Sequence, residues 1–377
     1  MILHVIDNLR PESGGPTTVV IELACQQARL GRRVHVLCVE GPRQPELHQK
    51  LVKRFGEAGV GFTELRGSDN RRAQIAREVD LRKPQVIHLH SLWESILRET
   101  SGIARRRAVP YVISTHGVLH PYALSQKRWK KWVYLKLFPG LVGGATALLA
   151  LNREEANHIS AKFARPATVL ANGIDVADHL DPESGEFRRT LLSGSTQPFI
   201  LFVGRIHPIK GLDGLLRSFA MAIKMGLEHD LVVVGPDDGA LPDLRELASQ
   251  LGLRERVRFT GGVFGPVKAD AYASCALFVH RPRFEGFGMT VVEAMASARP
   301  VLTTKECKLD GAAESGAVLQ AADDDQRFAE AIVGILRNPG QAQALGERGR
   351  RWARENLDWR ALVERLDRIY EGQIDGP

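Results

Sequence analysis

The sequence Phe-Ile-Leu-Phe-Val-Gly-Arg-Ile-His-Pro-Ile-Lys-Gly occupies residues 199–211. Its first five residues are apolar, which is typical of a β-strand that is buried on both faces of a parallel sheet. A glycine follows the strand at once, and Arg205 and Lys210 come next. Parallel strands end together at one edge of a sheet, where ligands of open α/β sheets collect. The sequence therefore predicts positive charge at a ligand-binding edge.

Similar apolar runs alternate with helical patterns along the whole chain. They predict an α/β protein of two doubly wound, Rossmann-like domains that face each other across a cleft. The predicted strands are residues 3–6, 34–39, 86–89, 111–114, 147–150, 168–170, 199–203, 230–234, 257–259, 276–279 and 300–303, and helices are predicted at 17–30, 71–82 and 341–370. The predicted domains are residues 1–172 and 173–355, with residues 356–377 forming a helix that packs back on the first domain.

Composition and cysteine spacing exclude several classes of protein. The 377 residues are 44% hydrophobic and 25% charged, as in soluble globular proteins. The four cysteines lie far apart, which argues against a zinc cluster or a disulfide framework. The first strand begins too early for a signal peptide to precede it, and no run reaches the ~18 apolar residues of a spanning helix. We therefore expect a cytoplasmic protein, for which attachment to a membrane surface stays open.

Charge is unevenly distributed along the chain. Residues 1–172 contain 26 Lys and Arg against 14 Asp and Glu, whereas the remainder contains 25 against 30. A basic half attracts nucleic acid, an anionic membrane or a phosphorylated ligand, and charge alone does not choose among them.

Residues 280–301 carry the most informative motif. Glycines around Gly288 precede a predicted helix, whose first free amides, at Gly288, Met289 and Thr290, would form an anion site. Glu293 lies one turn inside this helix, where a carboxylate can accept hydrogen bonds from a ribose diol. Glu285 precedes the turn and could reach a second hydroxylated group. In the alternative interpretation, Glu285 caps the turn and Glu293 is a solvated helix residue.

Three further strand ends carry candidate ligand-binding groups. Arg205 and Lys210 could bind phosphate oxygens, or could form a solvent-facing basic turn. Gly14-Gly15 precedes the first long helix and could let a phosphate approach, although the full dinucleotide fingerprint is absent. His116 follows the predicted strand 111–114. A single histidine is more often structural than catalytic. His116 is a candidate only because it follows a strand end, where the predicted ligand-binding edge lies.

Together these segments resemble glycosyltransferase family four, the retaining nucleotide-sugar glycosyltransferases of the GT-B fold. The resemblance covers nearly the whole chain, and its specific part is Arg205 and Lys210 followed by Glu285 and Glu293 at E-x7-E spacing. Its supporting segments are Gly14-Gly15, Thr115-His116-Gly117 and Asn172-Gly173-Ile174-Asp175. The sequence departs from the family pattern at Ser297-Ala298-Arg299, where a glycine is common, and at Gly235-Pro236-Asp237-Asp238, near the nucleotide.

The resemblance implies roles for individual residues. Arg205 and Lys210 would neutralise the donor diphosphate, Glu293 would hold the ribose, and Glu285 would lie beside the donor sugar. His116 would contact the sugar or support the reacting centre. The implied catalytic residues are His116 and Glu285, and the implied donor-binding residues are Gly15, Arg205, Lys210, Val263, Gly288, Met289, Thr290 and Glu293.

The implied reaction is transfer of a hexose from a nucleoside diphosphate sugar with retention at the anomeric carbon. The protein would mainly stabilise the departing diphosphate. We expect no metal and no cofactor, and we interpret the acidic clusters 237–238 and 323–325 as solvated turns.

Residues 126–138 interleave basic and aromatic side chains, which suits an anionic lipid surface. The candidate surface residues are Lys127, Arg128, Trp129, Lys130, Lys131 and Trp132. They predict a peripheral protein on the cytoplasmic face of a membrane, with a lipid-linked saccharide as acceptor. Alternatively, the tryptophans pack on the domain and the lysines face water.

Two other functions remain open from the sequence. A GT-B sugar-nucleotide epimerase would use the same cleft without a second substrate. A nucleic-acid-binding module could use the basic half, although no DNA or RNA motif is present.

Overall fold

A computed structural model describes residues 1–10, 15–65, 70–125, 128–176 and 184–373. The chain forms two compact units. Unit 1 comprises Met1–Gly173 together with Trp359–Pro377, and unit 2 comprises Ile174–Asp358.

Within the described residues, unit 1 contains a seven-stranded parallel sheet in the order β3-β2-β1-β4-β5-β6-β7. Its strands are β1 (Ile2–Asn8), β2 (Val34–Glu40), β3 (Gly61–Glu64), β4 (Val86–His90), β5 (Tyr111–Ser114), β6 (Ala147–Ala150) and β7 (Thr168–Val169). Its first eight helices are α1 (Gly15–Arg29), α2 (Pro45–Ala58), α3 (Arg71–Arg82), α4 (Ser95–Arg106), α5 (Pro121–Ser125), α6 (Arg128–Leu137), α7 (Pro139–Gly143) and α8 (Arg153–Phe163). The strand order reverses between β1 and β4, which is the topological switch point of the sheet.

Unit 2 repeats this architecture with a parallel sheet, which in the described part of the chain has six strands, in the order β10-β9-β8-β11-β12-β13. Its strands are β8 (Phe199–Val203), β9 (Asp230–Val234), β10 (Val257–Gly261), β11 (Leu277–His280), β12 (Val301–Thr304) and β13 (Leu319–Ala321). Its helices are α9 (Glu186–Leu191), α10 (Leu212–Lys224), α11 (Leu241–Gln250), α12 (Gly265–Ser274), α13 (Met289–Ala296), α14 (Asp325–Leu336) and α15 (Pro339–Asn356). Here the switch point lies between β8 and β11.

The central strands are apolar because both of their faces are buried. Every residue of β8, β9 and β11 is buried, and helices α10 and α14 pack their apolar sides over this core. The predicted α/β class with two doubly wound sheets is confirmed. Strands β3 and β13 were not predicted, because they are short and partly exposed and lack a continuous apolar run.

The C-terminal segment is not one continuous helix over residues 341–370, as predicted. Helix α15 ends at Asn356, and a last helix, α16 (Trp359–Tyr370), follows after a break. Helix α16 packs on α1 in unit 1. The indole of Trp359 lies against the backbone of Gly173, where an added Cβ would approach the ring to 2.3 Å. A side chain at position 173 would therefore displace the start of α16.

No described helix is both long and apolar enough to cross a bilayer. The four cysteines are buried free thiols, as predicted.

Candidate active site

The carboxyl ends of β8 and β11 bring Lys210 and Glu285 together at the switch point of unit 2. The ammonium group of Lys210 forms an ion pair with Glu285 Oε2, and His280 Nε2 lies 3.1 Å from the same oxygen. Burial alone would raise the pKa of Glu285, but Lys210 and His280 outweigh it and lower this pKa to about 2. Glu285 is therefore a charged, held carboxylate at neutral pH and not merely a turn cap.

The turn that carries Lys210 depends on Gly211. Residues Pro208–Lys210 form one 3-10 turn, which ends at Gly211 with a φ of +64°. A Cβ at Gly211 would lie 2.2 Å from the carbonyl oxygen of Arg281, so only glycine lets this turn approach the end of β11 so closely.

Arg281 directly follows β11 and is buried. Its side chain is 7% exposed, and its guanidinium group pairs with Asp323 at 2.9 Å and with Asp325 at 2.5 Å. Asp324 caps α14 by accepting a hydrogen bond from the amide of Arg327. Asp323 and Asp324 are exposed, as predicted for a solvated turn, but the carboxylates of residues 323–325 also bind a buried cation and a helix start.

Arg205 contacts a different acidic group. Its Nη1 donates to Asp238 Oδ2 at 2.5 Å, and the Arg205 side chain is 47% exposed. The neighbouring Asp237 caps α11 by accepting hydrogen bonds from three successive amides. Asp237 and Asp238 are both exposed, as predicted for a solvated turn, and Arg205 retains much of its exposure beside the strand end.

Glu293 is positioned by two side chains of α12. Lys268 Nζ donates to Glu293 Oε1 at 2.8 Å, and the Tyr272 hydroxyl donates to Oε2 at 2.7 Å. Burial, reinforced by Glu293, raises the pKa of Tyr272 well above its usual value, so this hydroxyl keeps its proton. The Glu293 side chain is only 14% exposed, and the alternative that it is a solvated helix residue is wrong.

Gly288, immediately before α13, cannot be replaced without strain. Its φ is +81°, and a Cβ would lie 2.8 Å from the sulfur of the buried Cys307. Helix α13 begins at the next residue, Met289, with Thr290 in its first turn. Val263 lies partly buried in the loop between β10 and α12.

In unit 1, His116 follows β5 in a left-handed conformation, with a φ of +50°. The buried carboxylate of Glu155 holds this turn: its Oε1 accepts from Thr115 Oγ1 at 2.6 Å and from the Gly117 amide at 2.8 Å. Its Oε2 accepts from the Leu151 amide at 2.9 Å. The two hydrogen bonds to Thr115 and Gly117 flank His116 and thereby help to offset its unfavourable backbone conformation. His116 is not isolated, because its ring stacks on that of His90 with centroids 5.3 Å apart.

The basic aromatic segment forms α6. Trp129 and Trp132 are 68% and 56% exposed, so the alternative that these two tryptophans pack on the domain is wrong. Lys130 and Lys136 lie over their rings. Lys131 instead lies over Trp93 and donates to the Ala123 carbonyl, and Arg128 is exposed at the start of the helix. Lys127 falls outside the described residues, as does Gly14, whereas Gly15 is the first residue of α1.

Comparison with known proteins identifies the family. The model "Glycosyltransferase Family 4" matches residues 13–178, and the model "Glycosyl transferases group 1" matches residues 183–352. A D-inositol 3-phosphate glycosyltransferase of Catenulispora acidiphila is 30% identical over 97% of this chain and 92% of its own length. The chain belongs to glycosyltransferase family four. The resemblance seen in the sequence is confirmed, and the protein is a glycosyltransferase.

Further comparisons are consistent with this family. A GDP-mannose:cellobiosyl-diphosphopolyprenol alpha-mannosyltransferase of Xanthomonas campestris is 27% identical, covering 100% of this chain and 98% of its own. Among solved structures, Anabaena Alr3699/HepE in complex with UDP and glucose aligns with a TM-score of 0.79 at 18% identity, covering 98% of this chain and 99% of its own. That structural similarity shows the GT-B fold.

Sequence reasoning missed four polar residues of this glycosyltransferase. They are Lys268 and Tyr272, which hold Glu293, Glu155, which holds the His116 turn, and Arg281, which donates to the Gly214 carbonyl of α10 just after the Lys210 turn. The spacing of Lys268 and Tyr272 on one helix face was the one local signal available.

Proposed function

We propose that this glycosyltransferase moves a hexose from a nucleoside diphosphate sugar to a hydroxyl group of a lipid-linked saccharide, with retention at the anomeric carbon, in cell-surface polysaccharide synthesis. The cluster of Lys210, Glu285 and His280 is the observation that supports it most. It combines a cation, a carboxylate and the start of α13 at the switch point of a doubly wound sheet.

Unit 2 would bind the donor. Arg205 and Lys210 each hold a carboxylate in the structure and would exchange it for diphosphate oxygens, with the amides of Met289 and Thr290 adding partial positive charge. Each Glu293 oxygen accepts one described hydrogen bond. Because a carboxylate oxygen has two lone pairs, Glu293 keeps acceptor capacity for a ribose diol.

The chemistry would be mainly electrostatic. Lys210, Arg205 and the helix amides would stabilise charge on the departing diphosphate, so we propose that no metal or cofactor is required. Glu285 would lie beside the donor sugar, His116 of unit 1 would contact the reacting sugar, and the backbone at Val263 would border the base.

Unit 1 would bind the acceptor at a membrane. Helix α6 exposes two tryptophans, and the cations around them suit anionic headgroups. The Xanthomonas relative is named for an acceptor on a polyprenyl diphosphate, which supports an acceptor of this class. The protein would then be peripheral on the cytoplasmic face.

The donor is tested by thermal shift with UDP, GDP, ADP and dTDP. The matching nucleotide should stabilise the protein by RT ln(1 + [L]/Kd), and Lys210→Ala should abolish most of that shift while EDTA leaves it unchanged. NMR of the product would establish the anomeric configuration. Turnover of donor alone to an epimer, without release of nucleoside diphosphate, would instead show an epimerase.

The membrane role is tested with the quadruple variant in which Lys127, Arg128, Lys130 and Lys131 become Gln. Each cation near an anionic surface contributes about 1 kcal/mol, so cosedimentation with anionic vesicles should fall sharply, as it should at high salt. The thermal shift by nucleotide is the control and should stay unchanged. Failure of the wild-type protein to bind such vesicles at low salt would overturn the membrane role, and salt-sensitive binding to oligonucleotides would reassign the basic surface.

A further inference from the structure

A continuous series of hydrogen bonds runs through the interior of unit 1 and ends at His116. The rings of His4, His88 and His90 are completely buried, as is Gln27. The successive contacts are His116 Nε2 to His90 Nδ1 at 3.0 Å, His90 Nε2 to His4 Nδ1 at 2.8 Å, His4 Nε2 to Gln27 Oε1 at 2.6 Å, Gln27 Nε2 to the Tyr370 hydroxyl at 3.4 Å, that hydroxyl to His88 Nδ1 at 2.7 Å, and His88 Nε2 to Ser114 Oγ at 2.7 Å.

Strand register explains why these side chains meet. His4 of β1 is paired directly with His88 of β4, and His90 of β4 with Ser114 of β5. Side chains of alternate residues point to one face of a strand, so His88 and His90 share the face on which His4 lies. Helix α1 supplies Gln27 and helix α16 supplies Tyr370, each from its buried side.

The histidines in this series are neutral. Burial lowers the pKa of His4 to about 4, despite its hydrogen bond to Gln27, and lowers that of His116 to about 4. Burial also lowers the pKa values of His88 and His90 well below the ordinary value. A neutral imidazole has one N–H donor and one acceptor nitrogen, so each ring must donate on one side and accept on the other.

The amide of Gln27 then sets the direction of the whole series. Its Oε1 carries no proton, so His4 must donate from Nε2 and accept at Nδ1. His90 therefore donates from Nε2 and accepts at Nδ1, and His116 donates from Nε2. On the other side, Gln27 donates to Tyr370, which leaves the Tyr370 proton for His88 Nδ1. Every ring has its proton on Nε2.

We propose that Gln27, through His4 and His90, fixes His116 as the tautomer protonated on Nε2, which leaves Nδ1 as the acceptor that His116 offers to a sugar hydroxyl group. Among the described residues, no protein group hydrogen-bonds to this Nδ1. The use of Nδ1 toward substrate rests on the proposed function, whereas the tautomer does not. Gln27, His4 and His90 are then positioning residues, and none of them touches the substrate.

The arrangement argues against a metal ion at the same place. Single ligand atoms of His4, His88 and His90 lie within 4.8 Å of one another, as in a three-histidine site. All six ring nitrogens of these residues already have hydrogen-bond partners, and a metal bound to all three rings would have to break at least two of those bonds.

Nitrogen-15 NMR of the histidine rings in the full-length protein at neutral pH tests the proposal without any substrate. The expected result is four rings with the pyrrole-type shift at Nε2 and the pyridine-type shift at Nδ1. The opposite pattern would mean that the Gln27 amide is reversed and would overturn the proposal. Binding of Zn²⁺ by the apoprotein with perturbation of the His4, His88 and His90 signals would also overturn it.

A pair of variants separates this proposal from the proposed function. In Gln27→Leu, His4 loses its acceptor, so the signals of His116 should show a mixture of tautomers, and kcat should fall about tenfold, as for loss of one hydrogen bond, with the donor KM unchanged. Ser114→Ala removes the hydrogen bond between Ser114 and His88. His88 is linked to Gln27 through Tyr370 and not through His4, so this variant should leave the His116 signals unchanged. Unaltered His116 signals in a folded Gln27→Leu protein would refute the role of Gln27. The predicted tautomers together with full activity of His116→Ala would retain the hydrogen-bond series and refute the proposed contact of His116 with the sugar.

Discussion

Replacement of Lys210 by Met should change how stability depends on pH, because Lys210 is the main group that opposes the burial of Glu285. The pKa of Glu285 falls from an ordinary value of 4.5 to about 2. That difference corresponds to about 3 kcal/mol of folding free energy, at about 1.4 kcal/mol for each pH unit. Since the folded-state pKa is lowered, this stabilisation is present above pH 4.5 and is lost as the pH falls toward 2. By pH 3 the wild-type protein should have lost about 2 kcal/mol of it.

In Lys210→Met the carboxylate remains buried with His280 as its remaining partner, so its pKa should rise from about 2 and acidification should remove less stabilisation than in the wild type. At pH 7 the variant should be less stable than the wild type by about 3–5 kcal/mol, the cost of breaking a buried ion pair by removing one partner. The difference between the two proteins should shrink markedly at pH 3.

Urea unfolding followed by circular dichroism at both pH values measures these free energies. A carbon-13 titration of the Glu285 carboxyl group gives its pKa directly, even where unfolding is not two-state. The exposed Lys305→Met is a matched control and should behave as wild type. An equal loss of stability on acidification in wild type and Lys210→Met, or a Glu285 pKa still near 2 in the variant, would refute the reasoning.

Tyr272→Phe removes one of the two hydrogen bonds that hold Glu293, so calorimetry should show nucleoside diphosphate affinity reduced several-fold with kcat at saturating donor unchanged; a fall in kcat alone would contradict this. Gly288→Ala places a Cβ against Cys307, so thermal unfolding should show a loss of about 1–3 kcal/mol, and unchanged stability would contradict the close contact. Glu155→Ala leaves the amides of Gly117 and Leu151 without their acceptor, whereas the Thr115 hydroxyl keeps the Leu149 carbonyl, and it should cost about 2–4 kcal/mol of folding free energy together with turnover; full activity would show that the turn does not need this carboxylate.

The sequence was sufficient where one local pattern contained the whole signal. Buried strands such as β5 and β8 are almost entirely apolar, and their predicted bounds, 111–114 and 199–203, are those of the structure. Lys210, Glu285 and Glu293 were found because each lies beside a strand end or a glycine turn. Whether they act on a donor as proposed stays a prediction.

Residues that support the site were not predictable in the same way. Glu155 reaches the His116 turn from a helix about 40 residues later, and Gln27 meets His4 only through packing of α1 on the sheet. Neither lies in a motif, so only the tertiary fold reveals its partner. Ala298 is a related case. The sequence showed only that residues 297–299 lack the glycine that is common in the family. The structure shows that Ala298 adopts a φ of +53°, a conformation that is strained for alanine.

The return of α16 to unit 1 has a consequence for biosynthesis. Unit 2 is continuous in sequence, whereas unit 1 is interrupted between Gly173 and Trp359, so topologically the second unit is an insertion into the first. A ribosome makes α16 only after it has made the whole of unit 2. Unit 1 therefore cannot complete its fold until Trp359 and Tyr370 emerge from the ribosome, after all residues of unit 2 have emerged. Premature termination near residue 356 would release a chain whose N-terminal sheet is assembled but whose apolar groove and histidine series are unsealed, which makes it a substrate for chaperones and proteases.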